Sequence, residues 1–590
     1  MKSRVSLFFA AWIFVSMTAV CLAAEHYDVT IEHDVSVKMR DGVALRADIY
    51  APKAGGKFPV LLQRTPYDRR YGVDFGLRAA SQGYVVIFQD VRGRFASDGE
   101  WYPFKHESQD GYDTIEWAAS LPNSNGKVGM FGGSYVGATQ MLAAIAAPPH
   151  LAGICPDVTA SNYHENWTYQ GGAFEQWFNE SWTSGLALNT LFRRAQQNSN
   201  AMHRVDKLPL SSYPLLDPGA GTDSTEGSHD LAPYFTDWLS HPRYDGFWKR
   251  ISIEDHFSQI TVPIFHTTAW YDIFLGGSLR NYMGIKARGG SEQARRGQHL
   301  LIMTGGHAGE GPMIGDVDFG KESVVDMDEL ILRWYDSLFK GEKNGLESEK
   351  PVKIFVMGKN VWREEDDWPL ARAKSTRFYL HSLGKANSLS GDGMLSTSAP
   401  PSEHADQYVA DPGDPVPTYG GPLCCDGEHL RPGAVDQRPV EARSDVLVYT
   451  TAAFKDDFEV TGPVSVELYA KSSAVDTDFT AKLVDVWPNG FAQNLTEGIL
   501  RARYRNSTEK LEFMNPGEIY KLTIDLWATS NVFLKGHRLR LEISSSNFPR
   551  FDRNLNTGED AASSTRWVKA TNTIVHGKEY PSAIILPVAP

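Results

Sequence analysis

Apolar residues follow two different patterns along this chain, and the change from one to the other divides it. In the first half, continuous apolar runs such as 84–88 and 128–131 alternate with segments of helical spacing such as 110–119. Strands that are apolar on both faces and alternate with helices are typical of a parallel sheet covered on both sides. An Asp41-Gly42 pair between alternating apolar residues also predicts an antiparallel hairpin at residues 35–50.

The second half of the chain carries strands with a period of two. Residues 464–468, 521–526 and 538–543 each place their apolar side chains on one face only, with no helical pattern between them. Such strands predict an antiparallel sandwich, and a jelly roll is one way to close its edges. We therefore expect the second half to be an all-β domain.

A stretch rich in Trp, Tyr, Asn and Gln interrupts the strands of the first half. It spans 159–257 and contains amphipathic pieces, and strand signals resume at 262–268 and 299–304. This pattern predicts a helical cap inserted into the sheet domain. The predicted organisation is an α/β sheet domain formed by residues 25–158 and 258–345, a helical cap at 159–257, and a jelly-roll β-sandwich at 352–590.

The first residues have the composition of an export signal. Lys2 and Arg4 precede an apolar run at 5–22, which ends in Ala23 and Ala24. This order is typical of a cleaved signal peptide, here residues 1–24, and predicts a secreted or periplasmic protein. The run approaches the length of a membrane span, so an uncleaved anchor is the alternative. No later stretch approaches a span, and we expect no membrane partner after the signal is removed.

Charge and special motifs narrow the function classes. The net charge of −14 comes from 72 acidic and 58 basic side chains with no basic block, so nucleic acid is not an expected partner. The sequence has no His-Glu-x-x-His motif, no closely spaced Cys/His set and no phosphate-binding loop, so we expect neither a metal nor a cofactor. Cys424 and Cys425 are adjacent, and both a disulfide and a reduced pair are compatible with that position.

One serine lies where a catalytic nucleophile is expected. Ser134 stands in Gly-Gly-Ser-Tyr-Val-Gly (132–137), directly after the predicted strand 128–131 and before a run of high helix propensity at 138–147. A sharp, glycine-rich turn from strand to helix is the nucleophile elbow of the α/β-hydrolase fold. The last glycine falls one place later than in the usual G-x-S-x-G pattern, so the motif alone is an imperfect match.

An acid and a histidine follow the serine in the order that this fold requires. Asp272 comes just after the predicted strand 262–268, and His307 follows the strand 300–303 and two glycines. The carboxyl ends of parallel strands share one edge of the sheet, so the three side chains are expected to meet. We predict Ser134 as nucleophile, His307 as general base and Asp272 as the residue that orients the histidine.

The tetrahedral intermediate of such a reaction carries a negative oxygen, which needs hydrogen-bond donors. One donor is expected to be the backbone N–H of Tyr135, the residue after the nucleophile. Another is expected from the loop at 64–67, which follows the predicted strand 59–62. The sequence thus predicts an oxyanion hole made by this loop and the elbow.

Several motifs together resemble the cocaine-esterase and X-Pro dipeptidyl-peptidase (CocE/NonD) group of α/β hydrolases, which includes α-amino-acid ester hydrolases and glutaryl acylases. They are Arg-Thr-Pro-Tyr (64–67), Asp-Val-Arg-Gly (90–93), Gly-Gly-Ser-Tyr (132–135), Trp-Tyr-Asp (270–272) and the Gly-Gly-His loop that ends at 307. The resemblance implies a serine hydrolase that acts on small-molecule esters or amides, with the Tyr67 hydroxyl in the oxyanion hole. A late glycine in the elbow is normal in this group. Homo-oligomers are common in it, and the sequence leaves the oligomeric state open.

The residues after Asp272 bear on the substrate. Members of the group that recognise a substrate amino group resemble one another in carrying acids there, whereas this chain has Ile273, Phe274 and Leu275. A cationic amine would meet no counter-charge, which favours neutral or aromatic acyl esters, although Glu165 or Glu175 of the cap could substitute. Trp167, Phe174 and Phe274 are predicted to line the substrate pocket, and the alternative is that the cap aromatics form only its own core.

Three further functions stay open at this point. The chain could be an X-Pro dipeptidyl-peptidase, or an acylase for α-amino-acid esters or β-lactams. It could also be a binding module attached to a degenerate hydrolase.

Overall fold

The computed structural model describes residues 26–197, 231–307, 311–401, 404–425 and 427–590, so the predicted signal peptide 1–24 lies outside the described residues. The strands are β1 Val29–Lys38, β2 Ala44–Pro52, β3 Phe58–Thr65, β4 Val85–Asp90, β5 Ser124–Gly133, β6 Leu151–Asp157, β7 Tyr169–Gln170, β8 Ala173–Phe174, β9 Ile264–Tyr271, β10 Gln298–Gly306, β11 Met313–Ile314, β12 Val317–Asp318, β13 Val352–Val356, β14 Val361–Glu365, β15 Lys374–His381, β16 Met394–Ser396, β17 Asp406–Ala410, β18 Leu447–Thr450, β19 Phe458–Ser472, β20 Asp478–Val486, β21 Ala492–Arg501, β22 Tyr520–Phe533, β23 Arg538–Ser544, β24 Ala570–Val575 and β25 Ala583–Ala589. The helices are α1 Val73–Ser81, α2 Glu107–Ala119, α3 Tyr135–Ile145, α4 Gln176–Gln197, α5 Pro233–Ser240, α6 Gly246–Lys249, α7 Leu275–Arg288, α8 Glu292–Arg296, α9 Met327–Tyr335 and α10 Arg438–Glu441. Within these ranges, no helix has both the length and the apolar character that crossing a membrane requires.

The ten-stranded central sheet has the order β1-β2-β4-β3-β5-β6-β9-β10-β13-β14. The strands from β4 to β13 are parallel to their neighbours, and the outer strands are antiparallel. Every residue of β4 is buried, as its continuous apolar run predicts, and α3 is buried along its whole length. This topology confirms the predicted α/β-hydrolase fold. It also brings the carboxyl ends of β5, β9 and β10 to one edge.

The cap lies between β6 and β9 and consists mainly of helices. In its described part, α4, α5 and α6 and the short hairpin of β7 and β8 enclose an aromatic cluster. Its indole rings are almost completely buried, with at most 6% of any one residue exposed, at Trp167, Trp182, Trp238 and Trp248. The predicted cap at 159–257 is thus helical where it is described, and its stretch 198–230 lies outside the described residues.

The predicted start of the sandwich at residue 352 is wrong. β13 pairs in parallel with β10, and β14 pairs with β13, so both strands belong to the central sheet. The physical reason is the apolar run of β13, whose Val352, Ile354, Phe355 and Val356 are all buried, and the strand lies between β10 and β14. The strands of the sandwich begin only with β15.

The C-terminal domain is an eleven-stranded arrangement with the order β17-β24-β19-β25-β15-β16-β18-β23-β20-β21, and β22 pairs with β19. β19 is 15 residues long and contacts β22, β24 and β25. Its pairing with β22 shifts in register between Pro463 and Ser465, as at a bulge. The predicted all-β C-terminal domain is therefore confirmed.

The sandwich also holds the first half of the chain. Arg550 Nη2 donates to Gln170 Oε1 in the cap at 3.0 Å. The backbone N–H of Phe174 donates to Asp552 Oδ1 at 2.8 Å. The Tyr271 hydroxyl, at the end of β9, donates to a backbone carbonyl of β21 at 2.9 Å. The C-terminal domain is thus fastened to the cap and to the strand that leads into Asp272.

Candidate active site

Ser134 occupies a sharp turn between β5 and α3. Its backbone angles, φ 61° and ψ −127°, are strained for a residue with a side chain, and such strain is typical of functional turns. A Cβ on Gly132 would lie 2.5 Å from Val136 Cγ1, and a Cβ on Gly137 would lie 2.8 Å from Thr159 Cβ. The glycines on both sides of the serine are therefore required for the close turn, including the late one.

The structure brings the three residues at the strand ends into contact. His307 Nε2 lies 2.8 Å from Ser134 Oγ, and His307 Nδ1 lies 2.7 Å from Asp272 Oδ2. Asp272 is fully buried, and its other oxygen accepts the Phe274 N–H at 2.7 Å. This backbone bond fixes the carboxylate, which in turn orients the imidazole. Hydroxyl, imidazole and carboxylate thus stand in the series that nucleophilic catalysis needs.

Two donors converge on the place where the oxyanion would form. The Tyr67 hydroxyl lies close enough to the Ser134 side chain to interact with it, and burial raises the pKa of Tyr67 above its usual value. The phenol therefore keeps its proton and can donate it. Tyr135 is the first residue of α3, so its N–H has no acceptor within the helix and is directed at the helix end.

Trp182 holds the Tyr67 hydroxyl, and the sequence analysis did not assign it this role. Its indole Nε1–H donates to Tyr67 Oη at 2.9 Å. The two residues are 115 positions apart, on the cap helix α4 and on the loop after β3. The high tryptophan content of the cap is the sequence signal that could have suggested such a donor.

One buried ion pair and one buried arginine support this arrangement. Arg64 Nη1 lies 2.9 Å from Glu107 Oε2, and Glu107 Oε1 accepts the Tyr135 hydroxyl at 2.9 Å. Arg94 donates to the Pro66 carbonyl at 3.0 Å and to the Leu186 carbonyl of α4 at 3.0 Å. The loop that carries Tyr67 is therefore tied to the cap. Arg64 and Arg94 thus help to hold the two residues that would donate to the oxyanion.

Two of the three predicted substrate residues lie beside the triad. The Phe274 ring meets the His307 ring edge-on at 5.0 Å between centroids. Trp167 stacks on Phe274 at 4.4 Å with an interplanar angle of 7°. The two parallel rings are completely buried, and the Phe274 ring is the one in contact with the imidazole; we call this pair the aromatic wall.

The prediction for Phe174 needs correction. Its ring packs on Tyr169 and Phe235, with centroids 5.4 and 6.0 Å apart. The ring lines a cavity of about 240 Å³ between the cap and the C-terminal domain, which Arg501 and Asp552 also line. The reason is its place in β8, whose backbone is bound to Asp552 and so turns this ring away from the triad.

The acids of the cap are buried. Burial raises the pKa of Glu175 to about 8, and it also raises the pKa of Glu165. Glu175 therefore carries a proton at pH 7, and it offers no ready negative charge. In the described part of the chain, no group of three or more His, Cys, Asp or Glu side chains is arranged to hold a metal ion.

Comparisons with known proteins give a consistent family. The model for X-Pro dipeptidyl-peptidase (S15 family) matches residues 41–309, and the model for the X-Pro dipeptidyl-peptidase C-terminal non-catalytic domain matches residues 344–585. Cocaine esterase from Rhodococcus sp. (strain MB1 Bresler) is 38% identical over 579 residues, which cover 95% of this chain and 98% of that protein.

Solved structures show the same fold. An aminopeptidase from the marine sediment archaeon Thaumarchaeota archaeon is 24% identical, with a TM-score of 0.80 and coverage of 100% of this chain and 99% of that one. An alpha-amino acid ester hydrolase is 24% identical, with a TM-score of 0.77 and coverage of 98% and 100%. The chain therefore belongs to the family of cocaine esterase and the S15 X-Pro dipeptidyl-peptidases, and it is a serine hydrolase.

Proposed function

We propose that this serine hydrolase cleaves esters whose acyl group is neutral and aromatic. The observation that carries the proposal is the aromatic wall of Trp167 and Phe274, which stands directly beside the imidazole of His307. A planar acyl group that stacks on this wall would present its carbonyl carbon to Ser134. Apolar walls with a few placed polar groups are typical of small-molecule sites.

The geometry accounts for each step of ester cleavage. His307 takes the proton of Ser134 as Oγ bonds to the carbonyl carbon, and Tyr67 and the Tyr135 N–H bind the resulting oxyanion. His307 then gives its proton to the leaving alkoxide, which departs as the alcohol. Water attacks the acyl-enzyme by the same route and releases the acid. The Asp272 side chain holds the imidazole in position and stabilises the imidazolium.

The charges around the site support a neutral acyl group. Ile273 and Phe274 follow Asp272, so the positions directly after the triad aspartate carry no acid that could pair with an ammonium group. Glu175 is protonated at neutral pH because of its burial, so it does not replace such an acid. The name of cocaine esterase, with 38% identity, also points to an ester. These observations make X-Pro peptides and α-amino-acid esters poorer substrates.

A panel of substrates with matched variants tests the proposal. We expect wild-type protein to hydrolyse an aryl benzoate with a higher kcat/KM than an X-Pro anilide or an α-amino-acid aryl ester. A fluorophosphonate probe should label the wild type and Ser161→Ala, in which another buried serine is removed, but not Ser134→Ala. An unlabelled wild type would support the alternative of a binding module, and faster X-Pro cleavage would overturn the acyl preference.

We also propose that the protein is exported and that its leader, residues 1–24, is removed. The support is the basic start, the apolar run and the small residues at its end. N-terminal sequencing of the protein recovered from the periplasm or the medium should give Glu25 as the first residue. A retained leader in a membrane fraction would indicate an anchor instead. Light scattering of the same sample measures the oligomeric state, which the family resemblance leaves open.

A further inference from the structure

Cys424 and Cys425 form a disulfide in the segment between β17 and α10. The two halves of this bridge have different surroundings. Cys424 is 4% exposed, whereas Cys425 is an exposed residue. One cysteine is therefore open to reagents in solution, and the other is in the protein interior.

The buried half belongs to the large apolar cluster that joins the core of the sheet domain to the cap. That cluster includes Trp167, Phe274 and other residues of the first half of the chain, all before residue 295. Among the described residues of the cluster, Cys424 is the single member that comes from the C-terminal domain. A side chain of the sandwich domain thus joins the same continuous apolar cluster as the aromatic wall.

The segment around the disulfide is pinned on both sides. Gly421 and Gly433 exchange backbone hydrogen bonds of 2.8 and 2.9 Å, which close a loop around the cysteines. The Asp316 N–H donates to the Ala434 carbonyl at 2.6 Å, which ties the loop to the hairpin of β11 and β12. Because the base of the loop is fixed, a change in the disulfide must be accommodated by movement within the loop, which contains Cys424.

The bridge also restrains the backbone. Cys425 has φ 82°, in the left-handed region that residues with side chains rarely occupy. The bond between adjacent residues holds both side chains together, whereas two free thiols can each choose their own rotamer. Reduction would therefore release both the backbone of Cys425 and the packing of Cys424.

We propose that the Cys424–Cys425 disulfide is a redox-sensitive part of the acyl pocket, which favours aromatic acyl groups when oxidised. The proposal rests on the proposed function. A dithiol reductant supplies the chemistry: its thiolate bonds to the exposed sulfur of Cys425, the S–S bond breaks, and the Cys424 sulfur leaves and takes a proton. The second thiol of the reductant then displaces Cys425 and forms a cyclic disulfide. Two electrons and two protons thus convert the bridge into two thiols.

The test compares an aryl benzoate with an aryl acetate before and after treatment of the folded protein with dithiothreitol. Reduction should release two thiols and lower the ratio of kcat/KM for benzoate over acetate by about tenfold, the size of effect that a methylene-sized change in an apolar pocket produces. The acetate has no ring to stack on the wall, so its kcat/KM should change little. Cys155→Ala, which removes the buried free cysteine of β6, should respond like the wild type. Cys424→Ala/Cys425→Ala should show the low ratio with or without reductant.

Three results would overturn the proposal: no disulfide in the mass spectrum of the oxidised protein, no thiols released under native conditions, or released thiols with an unchanged ratio. A second readout separates this failure from failure of the proposed function. Hydrogen exchange should increase on reduction in peptides that contain Trp167 and Phe274, whether or not any ester is cleaved. Absence of ester hydrolysis with such an increase would reject the proposed function alone.

Discussion

Replacing Trp182 by Phe isolates a single hydrogen bond of the oxyanion hole. The indole N–H donates to Tyr67 Oη at 2.9 Å, and Phe keeps an aromatic ring there without the donor. A neutral hydrogen bond of this kind is worth about 1 kcal/mol net, and loss of a whole oxyanion donor costs about 2.7–4 kcal/mol. Because Tyr67 keeps its hydroxyl but loses its anchor, we expect an intermediate cost of about 1–2 kcal/mol, or about 5- to 30-fold in kcat.

The assay measures kcat and KM separately on an aryl ester, together with Tyr67→Phe and the double variant. If Trp182 acts through Tyr67, its replacement should cost almost nothing more once the hydroxyl is absent. Trp238→Phe is the matched control, since this indole stacks on Trp182 at 6.2 Å and is equally part of the aromatic cluster. It should lower stability by a similar amount and leave kcat within about threefold of the wild type.

Two results would refute this reasoning. One is an equal loss of kcat from Trp182→Phe in the wild-type and Tyr67→Phe backgrounds, which would mean that the indole acts independently of the hydroxyl. The other is an equal loss from Trp238→Phe, which would mean that packing of the cluster is responsible.

Three other changes test the site and its support. Asp272→Asn should lower kcat by about 10⁴-fold without unfolding the protein, because the amide no longer holds His307 in the required tautomer, and a loss below tenfold would contradict the assigned role. Burial raises the pKa of Glu175 to about 8, so the folded protein holds a proton that the unfolded chain releases above its ordinary pKa near 4.5. The stability that this group contributes is therefore complete below pH 4.5 and is lost as the pH rises to about 8. Over that range Glu175→Gln should become more stable than the wild type, by about 4–5 kcal/mol at most. An equal change of melting temperature with pH in the two proteins would contradict this. Arg550→Met removes the nearer of two cations from the buried Glu497, at 2.5 Å, and leaves Lys482 at 3.7 Å. It should cost about 3 kcal/mol in denaturant unfolding, whereas an added Glu497→Gln should recover part of the loss.

The order of motifs along the chain was enough to predict which residues meet at the triad. Ser134, Asp272 and His307 each follow a strand of the same parallel sheet, and the geometry of such a sheet leaves their side chains little choice of position. The same argument predicted the N–H of Tyr135, because that group is a property of the elbow itself.

Contacts between distant, irregular segments could not be predicted in this way. The sequence of an aromatic-rich cap does not show which rings face the triad, so Trp167 and Phe174 were equivalent candidates. In the structure the backbone N–H of Phe174 is bound to Asp552, and its ring packs away from the triad. The bond from Trp182 to Tyr67 and the insertion of Cys424 depend on how cap, sheet and sandwich dock. The edge strands β13 and β14 were missed because a short apolar run after a polar linker has the pattern of either domain.

The hydrogen bonds from the sandwich to the cap have a consequence for protein engineering. Arg550 and Asp552 belong to a domain that the family model describes as non-catalytic. They nevertheless bind the Gln170 side chain and the Phe174 backbone of the cap. Variant libraries confined to the first part of the chain would not change these two residues of the C-terminal domain. Replacing the segment that contains Arg550 and Asp552 by the corresponding segment of a relative would change substrate selectivity through the cap. It would alter no group in contact with the scissile bond.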